Sequence, residues 1–106
     1  MHYNMKQFIF ESPEEFEQFF TGRNVKVTDA ITEGIRLAVQ AKKKNAELFE
    51  VSFEGADTAF DIALPSTEWP QALAKCLEIY EEAEMYDDAI DTYQLIKQVS
   101  DARDLI

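Results

Sequence analysis

The densest group of chemically active side chains in the sequence lies between Tyr80 and Tyr93, in the stretch YEEAEMYDDAIDTY. This stretch has no basic residue and six carboxylates, which are Glu81, Glu82, Glu84, Asp87, Asp88 and Asp91. Carboxylates at this density can cover a solvated helical face, bind a metal ion or meet a basic partner. The spacing of the acids and the charge of the rest of the chain help to choose among these uses.

A metal site is the use that the spacing supports least. Asp87 and Asp91 would share one face of a helix, and carboxylate oxygens suit Ca²⁺ or Mg²⁺. The stretch lacks the alternating acids and central glycine of an EF-hand loop, however. Asp87 and Asp88 also have an ordinary role, because acids in the first turn of a helix stabilise its positive end. We therefore expect no metal and no cofactor.

Side chains for covalent chemistry are sparse. The single histidine is His2, and the single cysteine, Cys76, falls between Leu73 and Leu77 on an apolar stripe. Nucleophilic catalysis needs an activated serine, cysteine or lysine beside a base, and the stripe predicts that Cys76 is a buried core thiol instead. The glycines are too scattered to form a phosphate-binding loop. We expect a protein that is not an enzyme.

The charge of the chain is concentrated in its second half. The formal net charge is -11. Residues 1–46 carry six acids and seven bases, a balance of +1, whereas residues 47–106 carry 15 acids and three bases, a balance of -12. A negative field of this kind disfavours direct binding to nucleic acid or to anionic lipid, and favours a salt-sensitive encounter with a basic protein surface. Solubility alone is the alternative explanation.

The length and the cysteine content favour one cytoplasmic domain. A chain of 106 residues suits a single domain, residues 1–106. No apolar run approaches the roughly 20 residues of a membrane-spanning helix, and residues 1–12 lack the features of an export signal. One cysteine cannot form an internal disulfide, which agrees with a reducing compartment.

The first elements are predicted by alternation and by a capping signal. KQFIFES alternates around Phe8 and Phe10 and indicates a strand. Ser12 and Glu15 have the spacing of a capping box, and Pro13 suits the first position of a helix. We expect this short helix to end at Gly22 and to direct three phenylalanines into the core: Phe16, Phe19 and Phe20.

A second, amphipathic helix is predicted within VTDAITEGIRLAVQAKKKN. Thr28 is the expected N-cap, and Asn45 is expected to take the left-handed conformation beyond the helix end. Lys42–Lys44 would complement the negative end of the helix from its last turn. The apolar stripe contains Ile31, Ile35 and Ala38, and the polar stripe contains Asp29, Glu33, Arg36 and Gln40.

A β-hairpin and two helices complete the predicted order. The runs ELFEVSFEG and AFDIALP alternate and flank the turn GADT. Pro70 places the start of the third helix near Thr67 to Trp69, and a break near Glu84 to Tyr86 separates it from the fourth. Trp69 is expected to pack this helix onto the sheet. The predicted inward stripes are Leu73, Cys76, Leu77, Tyr80 and Ala83 in the third helix, and Ala89, Ile90, Tyr93, Ile96 and Val99 in the fourth.

The predicted class is α+β, in the order β-α-α-β-β-α-α. A small three-stranded sheet that contains an antiparallel pair packs on helices through one face, and a helical hairpin ends the chain.

The final hairpin resembles one tetratricopeptide-type repeat over about a third of the chain. Tyr80 matches a position of the first helix of that repeat. In YDDAIDTY, Tyr86, Ala89 and Tyr93 match its tyrosine, small-residue and aromatic positions. Leu77 departs from the repeat, which has a small residue there. The hairpin also resembles the UVR-type hairpin of excision-repair proteins. Both resemblances imply contact with other proteins, and neither implies binding residues.

The function expected from these patterns is that of an acidic protein-interaction module, an inhibitor or regulator of a basic, nucleic-acid-binding partner. Its carboxylates would stand in for phosphates, as in proteins that mimic DNA. The expected partner-binding residues are Glu78, Glu81, Glu82, Glu84, Asp87, Asp88, Asp91 and Trp69. The alternative is a structural or assembly protein, such as a homodimer, in which Trp69, Tyr86 and Tyr93 form the contact.

Overall fold

The computed structural model describes residues 6–21 and 24–104. A 3₁₀ turn, Ser66–Glu68, precedes the third helix, and the main elements are β1 (Lys6–Phe10), α1 (Pro13–Thr21), α2 (Val25–Gln40), β2 (Asn45–Phe53), β3 (Ala59–Pro65), α3 (Trp69–Glu82) and α4 (Tyr86–Asp104). The α+β class, the element order and the C-terminal helical hairpin are confirmed. In the described part of the chain, no helix has the length and apolar composition needed to cross a bilayer.

The sheet is three-stranded and mixed, with β2 in the centre. β1 runs parallel to β2, and β3 runs antiparallel to it, so that Val51 lies between Phe8 and Phe60. Parallel neighbours need a crossover connection, which α1 and α2 provide. One face of the sheet packs on the helices, whereas Ile9 on the other face is 66% exposed. The prediction of one packed face and one solvated face is confirmed.

A β-bulge in β2 breaks the predicted alternation. The register with β3 shifts between Glu47 and Phe49, so Leu48 is an extra residue, and both Leu48 and Phe49 are buried. Here α2 approaches the strand closely. A Cβ atom on Gly34 would lie 2.8 Å from the carbonyl oxygen of Glu47 and 2.9 Å from Cδ2 of Leu48. Glycine therefore permits the contact between α2 and β2.

The capping signal of α1 is confirmed. The Glu15 amide donates to Oγ of Ser12 (3.3 Å), and the Glu15 carboxylate accepts from the amide of Glu11 (3.0 Å). Rings from α1 then pack against β1, because Phe16 and Phe19 each lie within 5.3 Å of the Phe10 ring, centroid to centroid. The predicted helix end at Gly22 and the side chain of Phe20 lie outside the described residues.

Both predicted ends of α2 were wrong. The N-cap is Asn24, whose side chain accepts from the Lys26 amide at 2.8 Å, because Thr28 is buried one turn inside the helix. At the other end the left-handed residue is Lys42, with φ 57°, and Asn45 begins β2. The amide of Lys43 donates to the carbonyl of Ala38, closing a Schellman motif. The three lysines therefore follow the helix instead of forming its last turn.

Trp69 begins α3 and is buried, with 5% of its surface exposed. Its indole Nε1 donates to the carbonyl of Leu64 at 2.8 Å, which fastens the start of α3 to the end of β3. The packing role predicted for Trp69 is confirmed. Its place among the partner-binding residues was wrong, because a partner could not reach a side chain that is part of the core.

The buried face of α4 differs from the predicted stripe. Ala89 and Val99 are buried as predicted, but Ile90 and Tyr93 are 55% and 53% exposed. The core receives a neighbouring row instead, which includes Thr92 and Leu95. Apolar residues occupy two rows of α4, and the row that packs on α3 is the one through Ala89. The inward positions predicted for Ile90 and Tyr93 were wrong.

Candidate functional site

The predicted carboxylates gather at one end of the helical hairpin. They belong to the second half of α3, to the turn and to the first two turns of α4. Asp88 is half-buried, and the others are exposed: Glu78, Glu81, Glu82, Glu84, Asp87 and Asp91. The turn itself is tight, because Glu84 has φ 59° and the amide of Met85 donates to the carbonyl of Tyr80 at 2.9 Å. We call this region the acidic hairpin end.

The main basic group of the chain lies far from the acidic hairpin end. Asp29 of α2 lies beside the end of α3, and Gln40 ends the helix 11 residues later, about 16 Å away along the axis. Lys42–Lys44 lie beyond Gln40. Within the part of the chain that the structure describes, four of the hairpin carboxylates form no ion pair: Glu81, Glu84, Asp87 and Asp91. The negative charge at this end is therefore not neutralised by the lysines.

A cleft of about 390 Å³ opens between α2, α3 and α4 beside the hairpin end. Asp29, Glu33, Asp88 and Asp91 line it, together with one basic residue, Arg36. Arg36 donates to Oε2 of Glu33 at 2.8 Å, and both side chains remain partly exposed. Four carboxylates and one guanidinium give the cleft a formal charge of -3, which suits a cationic group.

A buried tyrosine fastens the hairpin to α2 at the floor of the cleft. The hydroxyl of Tyr80 donates to Oδ1 of Asp29 at 2.5 Å and lies 3.3 Å from the hydroxyl of Thr32. The Thr32 hydroxyl in turn reaches the backbone carbonyl of Thr28 at 3.2 Å. Burial, and then the hydrogen bond to Asp29, raise the pKa of Tyr80 above its ordinary value of 10.0. Tyr80 therefore stays neutral and keeps donating to Asp29 throughout the physiological pH range.

Within residues 6–21 and 24–104, the side chains that could act as nucleophiles or metal ligands do not form a reactive site. Cys76 is buried, as predicted, and burial together with the charge of Asp29 raises the pKa of its thiol to about 12. The thiolate, which is the reactive form, is then scarce at neutral pH. His2 lies outside the described residues. Among the residues that the structure describes, no group of three or more His, Cys, Asp or Glu could hold a metal ion.

A row of exposed apolar side chains lies on α4, and sequence reasoning found it only in part. Tyr86 (60% exposed), Ile90 and Tyr93 follow each other at helical spacing along the outer side of the helix. Lys97 extends the row, with its Nζ 5.7 Å from the centroid of the Tyr93 ring. The alternative function predicted contacts through Tyr86 and Tyr93, whereas the inward stripe that was predicted for α4 included Ile90 and Tyr93.

No family model, no curated protein and no solved structure matches this chain. The resemblance of α3 and α4 to a tetratricopeptide-type repeat stays a prediction. Of the positions that carry it, Tyr80 and Ala89 are buried, whereas Tyr86 and Tyr93 face solvent.

Proposed function

We propose that the protein is a non-enzymatic interaction module that binds a basic protein surface through the acidic hairpin end. The observation that carries this proposal is the separation of charge. Exposed carboxylates without ion pairs within the described residues lie at one end of α2, and the lysine cluster lies beyond its other end. A field of this shape orients a basic partner during its approach and accelerates the encounter at low salt.

The partner that this charge pattern fits is a protein that ordinarily binds nucleic acid, so the module would act as its inhibitor or regulator. Asp87 and Asp91 lie four residues apart on α4, which is about 6 Å along the axis. A DNA strand likewise presents a row of single negative charges. Carboxylates in such a row can occupy the lysine and arginine sites that phosphates would fill.

The cleft beside the hairpin end belongs to the same proposed surface. Asp29 is held in place by Tyr80, and Asp88 and Asp91 project from the facing helix. A lysine or arginine side chain from the partner would enter between them and meet carboxylates on both sides. Charge-assisted hydrogen bonds of this kind are stronger than neutral ones and fix the orientation of the partner.

We place this function in the cytoplasm. The support is Cys76, a free and buried thiol, in a chain that has no second cysteine. Reduced cysteines of this type are ordinary in a reducing compartment.

The test compares two variants that lose the same charge from different faces. The first neutralises the hairpin end through Glu81→Gln, Glu84→Gln, Asp87→Asn and Asp91→Asn. The matched control neutralises exposed acids of the sheet and its loop through Glu47→Gln, Glu54→Gln, Asp57→Asn and Asp61→Asn. Both variants have a net charge of -7, because four of the original -11 charges are removed.

Each immobilised protein is exposed to a lysate of its own cells at about 50 mM and about 200 mM salt, a range over which phosphate-like contacts weaken strongly. We expect the wild type and the sheet variant to retain the same basic protein at low salt and to lose it at high salt. The hairpin variant should retain little of it at either concentration. Equal retention by the two variants would show that net charge, not the hairpin end, is what matters, and would overturn the proposal.

A second candidate function, assembly through homo-oligomer contacts, has one observation in its favour. Tyr86, Ile90 and Tyr93 are exposed side by side and could form an apolar contact. Trp69, which the same idea required, is buried. Sedimentation separates the two functions, because this candidate predicts a dimer that persists at high salt, and the interaction module predicts a monomer.

A further inference from the structure

Three apolar side chains form a continuous exposed stripe on α4. Tyr86, Ile90 and Tyr93 are each more than half exposed, and their i, i+4, i+7 spacing aligns them over about 11 Å of helix. We call them the α4 stripe. Single exposed apolar residues are normal on protein surfaces, but a row of three with two aromatic rings is typical of a binding surface.

Carboxylates border the α4 stripe along one side. Asp87 precedes Ile90 by three residues and Asp91 follows it by one, so both lie on the neighbouring row of the helix surface. Neither forms an ion pair within the described residues, and both are exposed. An apolar row and an acidic row therefore run side by side along the first two turns of α4.

The size of the stripe shows that its occupant must also cover the acids. Two half-exposed tyrosines and one isoleucine offer roughly 300 Å² of surface, whereas a stable interface uses about 800 Å² on each partner. The remaining area has to come from the surrounding surface, where Asp87 and Asp91 lie. Lys97 lies at the far end of the stripe, beside Tyr93, so the surface that flanks the first two turns of α4 is negative and favours a basic occupant.

A second copy of this chain fits such a surface poorly, because a two-fold contact would bring the acids of both copies into one interface, where like charges repel. A basic segment complements both rows. We infer that the α4 stripe anchors a partner segment whose apolar side chains, spaced at i, i+4 and i+7, stand among lysines or arginines. This inference rests on the proposed function. It adds that the partner is recognised through apolar contacts with the α4 stripe as well as through its charge.

Two synthetic peptides serve as probes. One is a helical Leu/Lys peptide with leucines at i, i+4 and i+7, and the other is a Ser/Lys peptide in which each leucine is replaced by serine. Fluorescence anisotropy at low salt measures the affinity of each peptide for the wild type, for Ile90→Ser and for Tyr93→Ser. The control variant is Ile9→Ser, which removes another isoleucine that is more than half exposed, from the open face of the sheet.

The wild type and Ile9→Ser should bind the Leu/Lys peptide at least tenfold more tightly than the Ser/Lys peptide. Ile90→Ser and Tyr93→Ser should lose most of this preference and keep their affinity for the Ser/Lys peptide, because both acidic residues remain. Circular dichroism checks that the variants are folded, which substitutions at exposed positions rarely prevent.

The results that would overturn the inference are distinct from those that would overturn the proposed function. Equal, salt-sensitive binding of both peptides would reject the apolar anchor and leave the acidic module intact. An equal loss of preference in Ile9→Ser would also reject the anchor. Failure to bind either peptide at low salt would reject the proposed function itself. Sedimentation that shows a wild-type dimer dissociated by Ile90→Ser would assign the stripe to a second copy and overturn the inference.

Discussion

Replacing Tyr80 with phenylalanine tests how the acidic hairpin end is held in place. The substitution removes one hydroxyl from a buried side chain and leaves the ring in the core formed with Cys76 and Ala89. The lost hydroxyl donates to the carboxylate of Asp29 at 2.5 Å and lies 3.3 Å from the hydroxyl of Thr32. The effect on stability therefore reports on these two contacts, of which the bond to the carboxylate is the shorter.

The size of the loss follows from the burial and charge of the two partners. Hydrogen bonds to a charged group contribute about 1.5–3 kcal/mol, and Asp29 is half-buried, so water can replace part of the lost donor. Thr32 keeps its backbone acceptors in the variant. We expect Tyr80→Phe to lower the free energy of unfolding by about 2 kcal/mol. For a domain of this size that is a substantial fraction of the total, which is about 5–15 kcal/mol.

Urea unfolding at pH 7, followed by the fluorescence of the single tryptophan, measures this loss. With a slope of about 2 kcal/mol per molar urea, the midpoint should fall by about 1 M. Tyr86→Phe is the matched control, because Tyr86 is exposed, and it should change the stability by less than about 0.5 kcal/mol. In a double-mutant cycle with Asp29→Ala, the two substitutions should show a coupling energy of about 1.5 kcal/mol.

Two results would refute this reasoning. A Tyr80→Phe protein as stable as the Tyr86→Phe control would mean that the Tyr80–Asp29 bond contributes no net stability. A coupling energy near zero would mean that the loss arises from another contact of the hydroxyl, such as the one with Thr32, and not from the bond to Asp29.

Three further predictions concern the fold. Gly34→Ala should destabilise the protein by about 1 kcal/mol, since overpacking costs about 1–3 kcal/mol and the gain in helix propensity is about 1 kcal/mol. Lys42→Gly and Glu84→Gly should each stabilise by about 0.5–1 kcal/mol, because both residues have left-handed φ angles that glycine adopts freely. The raised pKa of Cys76 makes the free energy of unfolding depend on pH. The contribution of Cys76 should be constant below about pH 9 and then lower the free energy of unfolding by about 1.4 kcal/mol per pH unit up to about pH 12, because only the unfolded chain releases the thiol proton in that range. Cys76→Ala should lack the fall between about pH 9 and pH 10, below the range in which Tyr80, whose pKa is also raised, begins to contribute a fall of its own.

Thermal and urea unfolding of each variant and of the wild type test these three predictions. A Gly34→Ala protein more stable than the wild type would show that β2 yields to the new methyl group. The glycine variants at 42 and 84 are compared with alanine at the same positions, and a loss of stability on placing glycine there would contradict the strain argument. For Cys76, the free energy of unfolding is measured at pH 8 and at pH 10. If it changes by the same amount in the wild type and in Cys76→Ala, the pH dependence does not come from Cys76.

The parts of the fold that were predicted correctly depend on local signals. Ser12, Pro13 and Glu15 form a capping signal whose hydrogen bonds close within five residues, so no distant part of the chain is needed. The turn between β2 and β3 contains Gly55 with φ 81°. Glycine adopts positive φ angles readily, so its presence in the sequence predicts a turn there. The start of α3 followed in the same way from Pro70.

The parts that were missed depend on contacts between distant elements. The bulge at Leu48 lies where Gly34 of α2 approaches β2 closely, a contact that alternation within β2 cannot reveal. Apolar residues on α4 could have packed through either of two rows, and the position of α3 selected the row through Ala89. The hydrogen bond from Tyr80 to Asp29 spans 51 positions in the sequence. The acidic composition of the hairpin end was visible, but the cleft that α2 completes was not.

The claim that the acidic hairpin end is the binding surface is tested most directly by chemical-shift mapping. The ¹⁵N-labelled protein is titrated at low salt with the Leu/Lys peptide, and the change of every amide signal is recorded. The largest changes should fall at residues 80–94, with a second group around Asp29 and Glu33 where the cleft opens. Changes spread evenly over all acidic surfaces would contradict the claim, and so would changes centred on residues 54–61, which form the loop between β2 and β3 and the start of β3.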